Sequence, residues 1–173
     1  MFKKALIIVD YQKEWTDKAS DYYVCDISKA TLNSNKLIDY CRDNEYKIIF
    51  TKHVEIDSSD TFAENSDNVN LIDSIHKNDS DVLIVKHKIS PFFNTILEKE
   101  LNGIGEIVVA GILTNLCVRS TVCDAYDRDM NITVIKDCCV SFDDQRQNFT
   151  FKDLKETRPE IEFLNLNEFI KLK

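Results

Sequence analysis

Glycine is scarce in this sequence, with only three in 173 residues, and this scarcity argues against a nucleotide-binding module. A loop that cradles phosphates needs glycines directly after a strand, so that backbone N–H groups can approach the phosphate oxygens. The one closely spaced pair, Gly103 and Gly105, comes before an apolar run instead of after one. The sequence therefore predicts no phosphate-binding loop.

Positive charge is scarce relative to negative charge, and long apolar runs are absent. The chain has 22 Lys and Arg against 30 Asp and Glu, and the resulting net charge of -8 repels nucleic-acid phosphates. The first apolar run, residues 5–9, ends at Asp10, so neither a signal peptide nor a membrane span fits. We expect a cytoplasmic protein that has neither nucleic acid nor a membrane as its partner.

Paired metal-binding or redox motifs are absent as well. The six cysteines include no C-x-x-C pair, and the three histidines are far from zinc-finger spacing. The adjacent Cys138 and Cys139 would form only a strained disulfide. We therefore interpret the six cysteines as free thiols in a reducing compartment.

The sequence does contain six short apolar runs, which alternate with segments of helical spacing. This alternation predicts a Rossmann-like, three-layer α/β/α fold with a six-stranded parallel sheet. A chain of this length suffices for one full core but not for two, so residues 1–173 are predicted to form a single domain. The predicted strands are 5–9, 47–51, 82–85, 107–110, 132–135 and 162–164, and the predicted helices are 28–44, 69–75, 93–101, 117–129, 144–157 and 167–171.

Three reactive side chains of different kinds follow predicted strands. Asp10, Lys86 and Cys117 each lie at or just after a strand exit, and ligands of parallel sheets bind beyond these carboxyl ends. Thr114 or Asn115 is predicted to cap the helix that carries Cys117 in its first turn. The positive end of that helix would favour a thiolate, which is the nucleophilic form of cysteine.

A carboxylate, an amine and a thiol form a workable hydrolytic set. Asp10 would take the thiol proton as general base, Lys86 would support both charges, and Cys117 would attack a carbonyl carbon. The backbone N–H groups of Leu113 and Cys117 are candidate donors to the resulting oxyanion. A nitrogen leaving group would receive its proton from Asp10, and water would then cleave the thioester.

Other interpretations of these residues remain open. Cys117 is also compatible with a packing role, and Asp10 with a capping role. A Cys-His hydrolase would pair Cys117 with His53 or His87 instead of with Asp10. A catalytically silent binding protein on the same fold is the third alternative.

Three motifs together resemble those of the isochorismatase-like cysteine hydrolases. They are Asp10-Tyr-Gln, then Lys86 followed by Ser90-Pro-Phe-Phe-Asn-Thr, and finally the run AGILTNLCV at 110–118. The resemblance covers nearly the whole chain. It implies a six-stranded parallel sheet, a catalytic triad of Asp10, Lys86 and Cys117, and a cis peptide bond between Ile112 and Leu113. It also implies a homo-oligomer, a dimer or tetramer, in which a neighbouring subunit can complete the pocket.

Departures from the family pattern narrow the expected substrate. The nicotinamidase branch carries a metal-binding Asp-x-His motif where residues 51–55 read TKHVE here, so we predict no metal and no cofactor. Isochorismatases cleave a vinyl ether and often lack the cysteine, so the presence of Cys117 favours a small amide or ureide. Nicotinamide and a vinyl ether remain the alternatives. The candidate substrate-binding residues are Trp15, His53, Phe92 and Thr114.

Overall fold

A six-stranded sheet, parallel throughout, forms the centre of the protein, as the sequence predicts. The structure is a computed structural model that describes residues 2–172. The strand order is β3-β2-β1-β4-β5-β6, so the chain begins in the middle, moves to one edge and then crosses to the other. The strands are β1 (Lys4–Val9), β2 (Lys47–His53), β3 (Val82–Lys86), β4 (Glu106–Ile112), β5 (Asn131–Val140) and β6 (Glu162–Leu164).

Helices connect most of these strands. Because parallel crossovers are right-handed, a helix that moves the chain toward β3 and a helix that moves it toward β6 lie on opposite faces. No helix within residues 2–172 combines the length and the apolar character that crossing a bilayer requires. The helices are α1 (Ser28–Asp43), α2 (Leu97–Glu100), α3 (Arg119–Tyr126), α4 (Asp144–Thr157) and α5 (Leu166–Leu172).

Three predicted helices are shorter than expected or missing. The helix predicted over 93–101 is only the four-residue α2, because the Thr95 hydroxyl bonds the Pro91 carbonyl and the Leu97 N–H and so holds the preceding residues in a turn. The segment 69–75 is not helical and follows a 3-10 turn at Asp67–Val69. The helix predicted to begin near Cys117 is a π-helical turn, Thr114–Val118, followed by α3.

The central strands β1 and β4 approach each other closely beneath the carboxyl edge. Gly111 has a φ of 152°, and a Cβ at this position would lie 2.3 Å from the Val9 carbonyl oxygen. Only glycine fits here. The pairing of β4 with β5 also shifts register between Val109 and Gly111, which lets β5 continue to Val140, beyond the predicted end at residue 135.

Candidate active site

Asp10 follows β1 directly and is fully buried. Its φ of 50° is left-handed, a conformation that is uncommon outside glycine and that clusters at functional sites. The Thr51 hydroxyl donates a hydrogen bond to Oδ1 at 2.6 Å. The Trp15 indole N–H donates to the Asp10 carbonyl oxygen at 2.7 Å. The carboxylate is therefore held by Thr51 of β2, and the Asp10 backbone by Trp15.

Lys86 ends β3 and is also fully buried. Its Nζ lies 2.8 Å from Asp10 Oδ2 and 3.3 Å from Cys117 Sγ, and it donates to the Lys88 carbonyl oxygen at 3.1 Å. Burial by itself lowers a lysine pKa, but Asp10 and Cys117 raise the Lys86 pKa above its ordinary value. The side chain is therefore an ammonium that joins the carboxylate to the thiol.

Cys117 lies in the π-helical turn Thr114–Val118. The N-cap of this turn is Leu113, which follows the cis peptide bond after Ile112. The predicted cap at Thr114 or Asn115 is therefore wrong. Burial, followed by the nearby Asp10 charge, raises the pKa of Cys117 to about 12, while Lys86 opposes the increase. This raised pKa favours a resting thiol, in contrast to the thiolate expected from the helix start.

The predicted oxyanion donors lie at the start of this turn. Leu113 is almost fully buried, and its carbonyl oxygen accepts from the N–H groups of Leu116 and Val118. The cis bond is at Ile112–Leu113, where the resemblance implies it. The turn thus brings the Leu113 and Cys117 backbones next to each other, and their use as oxyanion donors stays a prediction.

The four candidate substrate-binding residues differ in position. Trp15 supports Asp10 through its indole N–H, and His53 Nδ1 lies 3.5 Å from Lys86 Nζ. The Arg128 guanidinium packs over Phe92, with its Cζ 4.5 Å from the centroid of the phenyl ring. The Thr114 hydroxyl is directed at Gln147 of α4, at 3.2 Å. Trp15 and His53 thus belong to the surroundings of the triad, whereas the recorded contacts of the other two lead away from it.

Several supporting residues were not among the sequence candidates. Gln12 is fully buried and bonds the His53 backbone on both sides, and the buried Glu14 accepts from the Phe62 N–H at 3.1 Å. The Phe62 ring packs on Trp15 at 4.9 Å and on His53 at 5.3 Å. Phe62 lies in the polar segment between β2 and β3, and only the fold indicates that it reaches the site.

A cavity of about 480 Å³ opens beyond His53, at the exits of β2 and β3. A larger cavity of about 590 Å³ lies along the start of α1, and neither cavity is lined by the buried Asp10, Lys86 or Cys117. We assign the smaller cavity to the site, because His53 forms part of its wall and contacts Lys86 directly. Its lining residues are His53, Glu55, Ile56, His87, Lys88 and Ile89.

The alternative Cys-His pairing finds no support in the geometry. Among the hydrogen bonds of residues 2–172, neither His53 nor His87 bonds Cys117. The His53 ring faces the Lys86 ammonium, and His87 Nδ1 lies 2.8 Å from the Val54 carbonyl oxygen. Lys86 therefore lies where a Cys-His hydrolase would place its imidazole.

A divalent cation does not fit the residues at this edge. Within the described part of the chain, no three His, Cys, Asp or Glu side chains converge as metal ligands. In the TKHVE segment, His53 Nδ1 faces an ammonium, and the Lys52 amine extends toward Asn70 at 3.5 Å. An ammonium repels a metal ion, so no step proposed below passes through one.

The fold and the site together define the class, an α/β enzyme in which a carboxylate, an ammonium and a thiol meet at the carboxyl edge of a parallel sheet. The model of the isochorismatase domain matches residues 4–161. The chain therefore belongs to the isochorismatase family and is a hydrolase.

Individual relatives are similar at moderate identity. The isochorismatase family protein YaaI of Bacillus subtilis is 29% identical over 154 residues, which cover 84% of this chain and 85% of the relative. Nicotinamidase 3 of Arabidopsis thaliana is 25% identical, with 87% and 79% covered. The ureidoacrylate amidohydrolase of Acinetobacter baylyi is 38% identical over 71 residues, but these cover only 40% of this chain and 29% of the relative.

Solved structures share the fold at low sequence identity. An isochorismatase family protein from Desulfovibrio vulgaris superposes with a TM-score of 0.91 at 15% identity and covers 99% of this chain and 98% of that one. A cysteine hydrolase from Pseudomonas syringae superposes with a TM-score of 0.89 at 22% identity, with 98% and 91% covered. These two structures establish the architecture.

Proposed function

We propose that this protein cleaves a C–N bond of a small amide or ureide through a thioester on Cys117. The observation that carries the proposal is the chain of contacts from Asp10 Oδ2 to Lys86 Nζ at 2.8 Å and from Nζ to Cys117 Sγ at 3.3 Å. All three groups are buried, so their charges act on one another with little screening. The relatives named as nicotinamidase and as ureidoacrylate amidohydrolase support an amide-type substrate.

The raised pKa of Cys117 defines the first step. Because the resting group is a thiol, the Asp10 carboxylate takes its proton while sulfur forms a bond to the carbonyl carbon. The carbonyl oxygen becomes an oxyanion, and the N–H groups of Leu113 and Cys117 are the proposed donors to it. Lys86 stabilises the sulfur as negative charge develops on it.

The remaining steps release the nitrogen leaving group, hydrolyse the thioester and restore the thiol. Protonated Asp10 gives its proton to the departing nitrogen, and the C–N bond breaks to leave a thioester. Asp10 then takes a proton from water, whose oxygen attacks the thioester carbon. The C–S bond breaks, the sulfur regains a proton from Asp10, and the carboxylic acid product leaves.

We also propose a cytoplasmic homo-oligomer. The described cysteines are all free, which fits a reducing compartment. Large apolar side chains are half exposed on the turn that carries Cys117 and on the segment after β3, and apolar surface of this kind suits contact between subunits. They include Phe93, Ile96 and Leu116.

A substrate panel tests the proposal. Primary amides, ureido and carbamoyl compounds, nicotinamide and isochorismate are offered to the wild type, to Cys117→Ala and to Cys25→Ala. Cys25 is exposed and outside the site, so its replacement is the matched control. We expect turnover of an amide or ureide that is lost only with Cys117→Ala. Vinyl ether cleavage that survives this change would overturn the proposal.

Intact-mass measurement separates an enzyme from a silent binding protein. A slow amide or activated ester substrate should add the mass of its acyl group to the wild type and to Cys25→Ala, but not to Cys117→Ala. If no panel compound is turned over and none acylates Cys117, the silent alternative holds and the proposed chemistry is wrong.

A further inference from the structure

His53 is held from two sides at the end of β2. Gln12 Oε1 accepts from its N–H, and Gln12 Nε2 donates to its carbonyl oxygen, both at 2.8 Å. The edge of the Phe62 ring packs against the imidazole. In the β2-β3 pairing His53 is the direct partner of Lys86. The pairing of β2 with β3 therefore places the imidazole beside the ammonium.

The ammonium of Lys86 has more acceptors than protons. It carries three N–H groups and has no lone pair. Around Nζ lie Asp10 Oδ2 at 2.8 Å, the Lys88 carbonyl oxygen at 3.1 Å, Cys117 Sγ at 3.3 Å and His53 Nδ1 at 3.5 Å. Because Lys86 donates only, Nδ1 faces it with a lone pair. The ring proton is then on Nε2, which lies 3.7 Å from Glu55 Oε1.

The fourth acceptor matters when the sulfur changes during the reaction. A thiol or thiolate sulfur accepts an N–H, but a thioester sulfur is a poorer acceptor because its lone pair is delocalised toward the carbonyl group. The proton that pointed at Cys117 then needs another partner in a site with little solvent. His53 Nδ1 is close enough to supply one, so the ammonium can stay beside Asp10 throughout the cycle.

We propose that His53 is a positioning residue, whose neutral imidazole accepts a hydrogen bond from Lys86 and holds the ammonium between Asp10 and Cys117. This proposal rests on the proposed function and deepens it. It assigns His53 neither the role of base nor that of nucleophile. It also predicts that protonation of the ring switches the site off, because Nδ1–H would face the ammonium.

The groups around the ring keep it neutral near pH 7. Burial and the Lys86 charge lower the pKa of His53, while Asp10 and Glu55 act in the opposite direction and only partly compensate. These neighbours come from β3, from the turn after β1 and from the chain after β2. The imidazole therefore gains a second proton only below the ordinary histidine pKa. Nδ1 then no longer has a lone pair that can accept from Lys86.

A spectroscopic test needs no substrate. In protein labelled with ¹⁵N-histidine, His53 should carry its proton on Nε2 and should titrate below ~6.5. Glu55→Gln should lower the midpoint further, because it removes a carboxylate that raises the pKa, and His76→Asn is the control outside the site. A proton on Nδ1, or a midpoint at or above the ordinary value, would overturn the inference and leave the proposed function standing.

A kinetic test separates positioning from packing. His53→Asn keeps an acceptor near the place of Nδ1 but cannot titrate, whereas His53→Leu removes the acceptor. We expect His53→Asn to keep kcat within about 3-fold at pH 8 and His53→Leu to lower kcat by about 10- to 100-fold with little change in KM. Equal losses in both variants would contradict the positioning role. If neither variant nor the wild type turns over any amide, the proposed function fails instead.

Discussion

Two lysine-acid pairs at opposite ends of the sheet share their chemistry but differ in their surroundings. At the amino end, Lys4 of β1 lies 3.1 Å from Glu106 of β4, with 38% and 23% of the two side chains exposed. At the carboxyl end, Asp10 and Lys86 lie 2.8 Å apart and are both fully buried. The same kind of ion pair is thus screened by water at one end and hardly screened at the other.

This difference in burial indicates that the two ion pairs have different roles. Transferring a carboxylate and an ammonium out of water costs several kcal/mol per ion, roughly, and their attraction often does no more than offset that cost. A buried pair is therefore weak evidence for stability, and its other contacts must be considered. Here those contacts lead to Cys117 and His53, which are groups with chemistry of their own.

The largest expected effect comes from breaking the buried pair. Lys86→Met leaves the Asp10 carboxylate buried without its cation, so the free energy of unfolding should fall by ~3–5 kcal/mol. Turnover should fall by about 100- to 1,000-fold, because the developing sulfur charge loses its partner. Urea denaturation and steady-state kinetics measure the two losses.

A double replacement sharpens this result. Asp10→Asn combined with Lys86→Met removes both charges, so most of the stability should return while turnover stays at least as low as in Lys86→Met. Stability that stays low in the double variant would mean that packing of the lysine stem, and not the unpaired charge, caused the loss.

The reactivity of Cys117 toward iodoacetamide tests whether its resting side chain is a thiol. Thiolate is the reactive form, and its fraction rises with pH as long as the pH is below the thiol pKa. With the pKa at about 12, the alkylation rate should rise about 10-fold per pH unit from pH 7 to 10 without a plateau. Peptide mass spectrometry distinguishes Cys117 from the other cysteines. A plateau below pH 9 would indicate that the turn stabilises a thiolate after all.

The smallest effect is expected at the amino end. Lys4→Met removes a partly exposed pair, so the free energy of unfolding should change by less than ~1 kcal/mol, and turnover should stay as it is. The difference should shrink further in 1 M salt, which screens exposed charges. Denaturation at low and high salt measures it. A loss comparable to that of Lys86→Met would erase the contrast between the two ends.

Much of the fold was predictable because its signals are local. All six predicted strands are present and begin within one residue of their predicted starts, although β5 continues five residues beyond its predicted end. Helix α4 matches its prediction at 144–157, since the Asp143 side chain caps its first turn by accepting from the Arg146 N–H at 2.7 Å. The family motifs also indicated the order Asp10, Lys86, Cys117 along the chain.

Two of the predictions that failed depend on contacts between distant segments. The turn at Thr114–Val118 is π-helical, and the groups that bond it come from other elements, namely Gln147 of α4 and Ser141 after β5. The pKa of Cys117 is raised chiefly because the surrounding segments exclude water. The spacing of these residues in the sequence indicates neither the hydrogen bonds to the turn nor the exclusion of water around Cys117.

The sequence by itself determined the order of the strands along the chain, their burial and the chemical types of the groups at their exits, because strand periodicity and residue type are local properties. Only the tertiary structure decided which of these groups meet. Lys86 reaches Asp10 because only one strand, β2, lies between β3 and β1. His53 reaches Lys86 because the two residues are direct partners in the pairing of β2 with β3. Distances and solvent exclusion of this kind arise only when segments remote in sequence pack together, and they set the protonation states on which the chemistry depends.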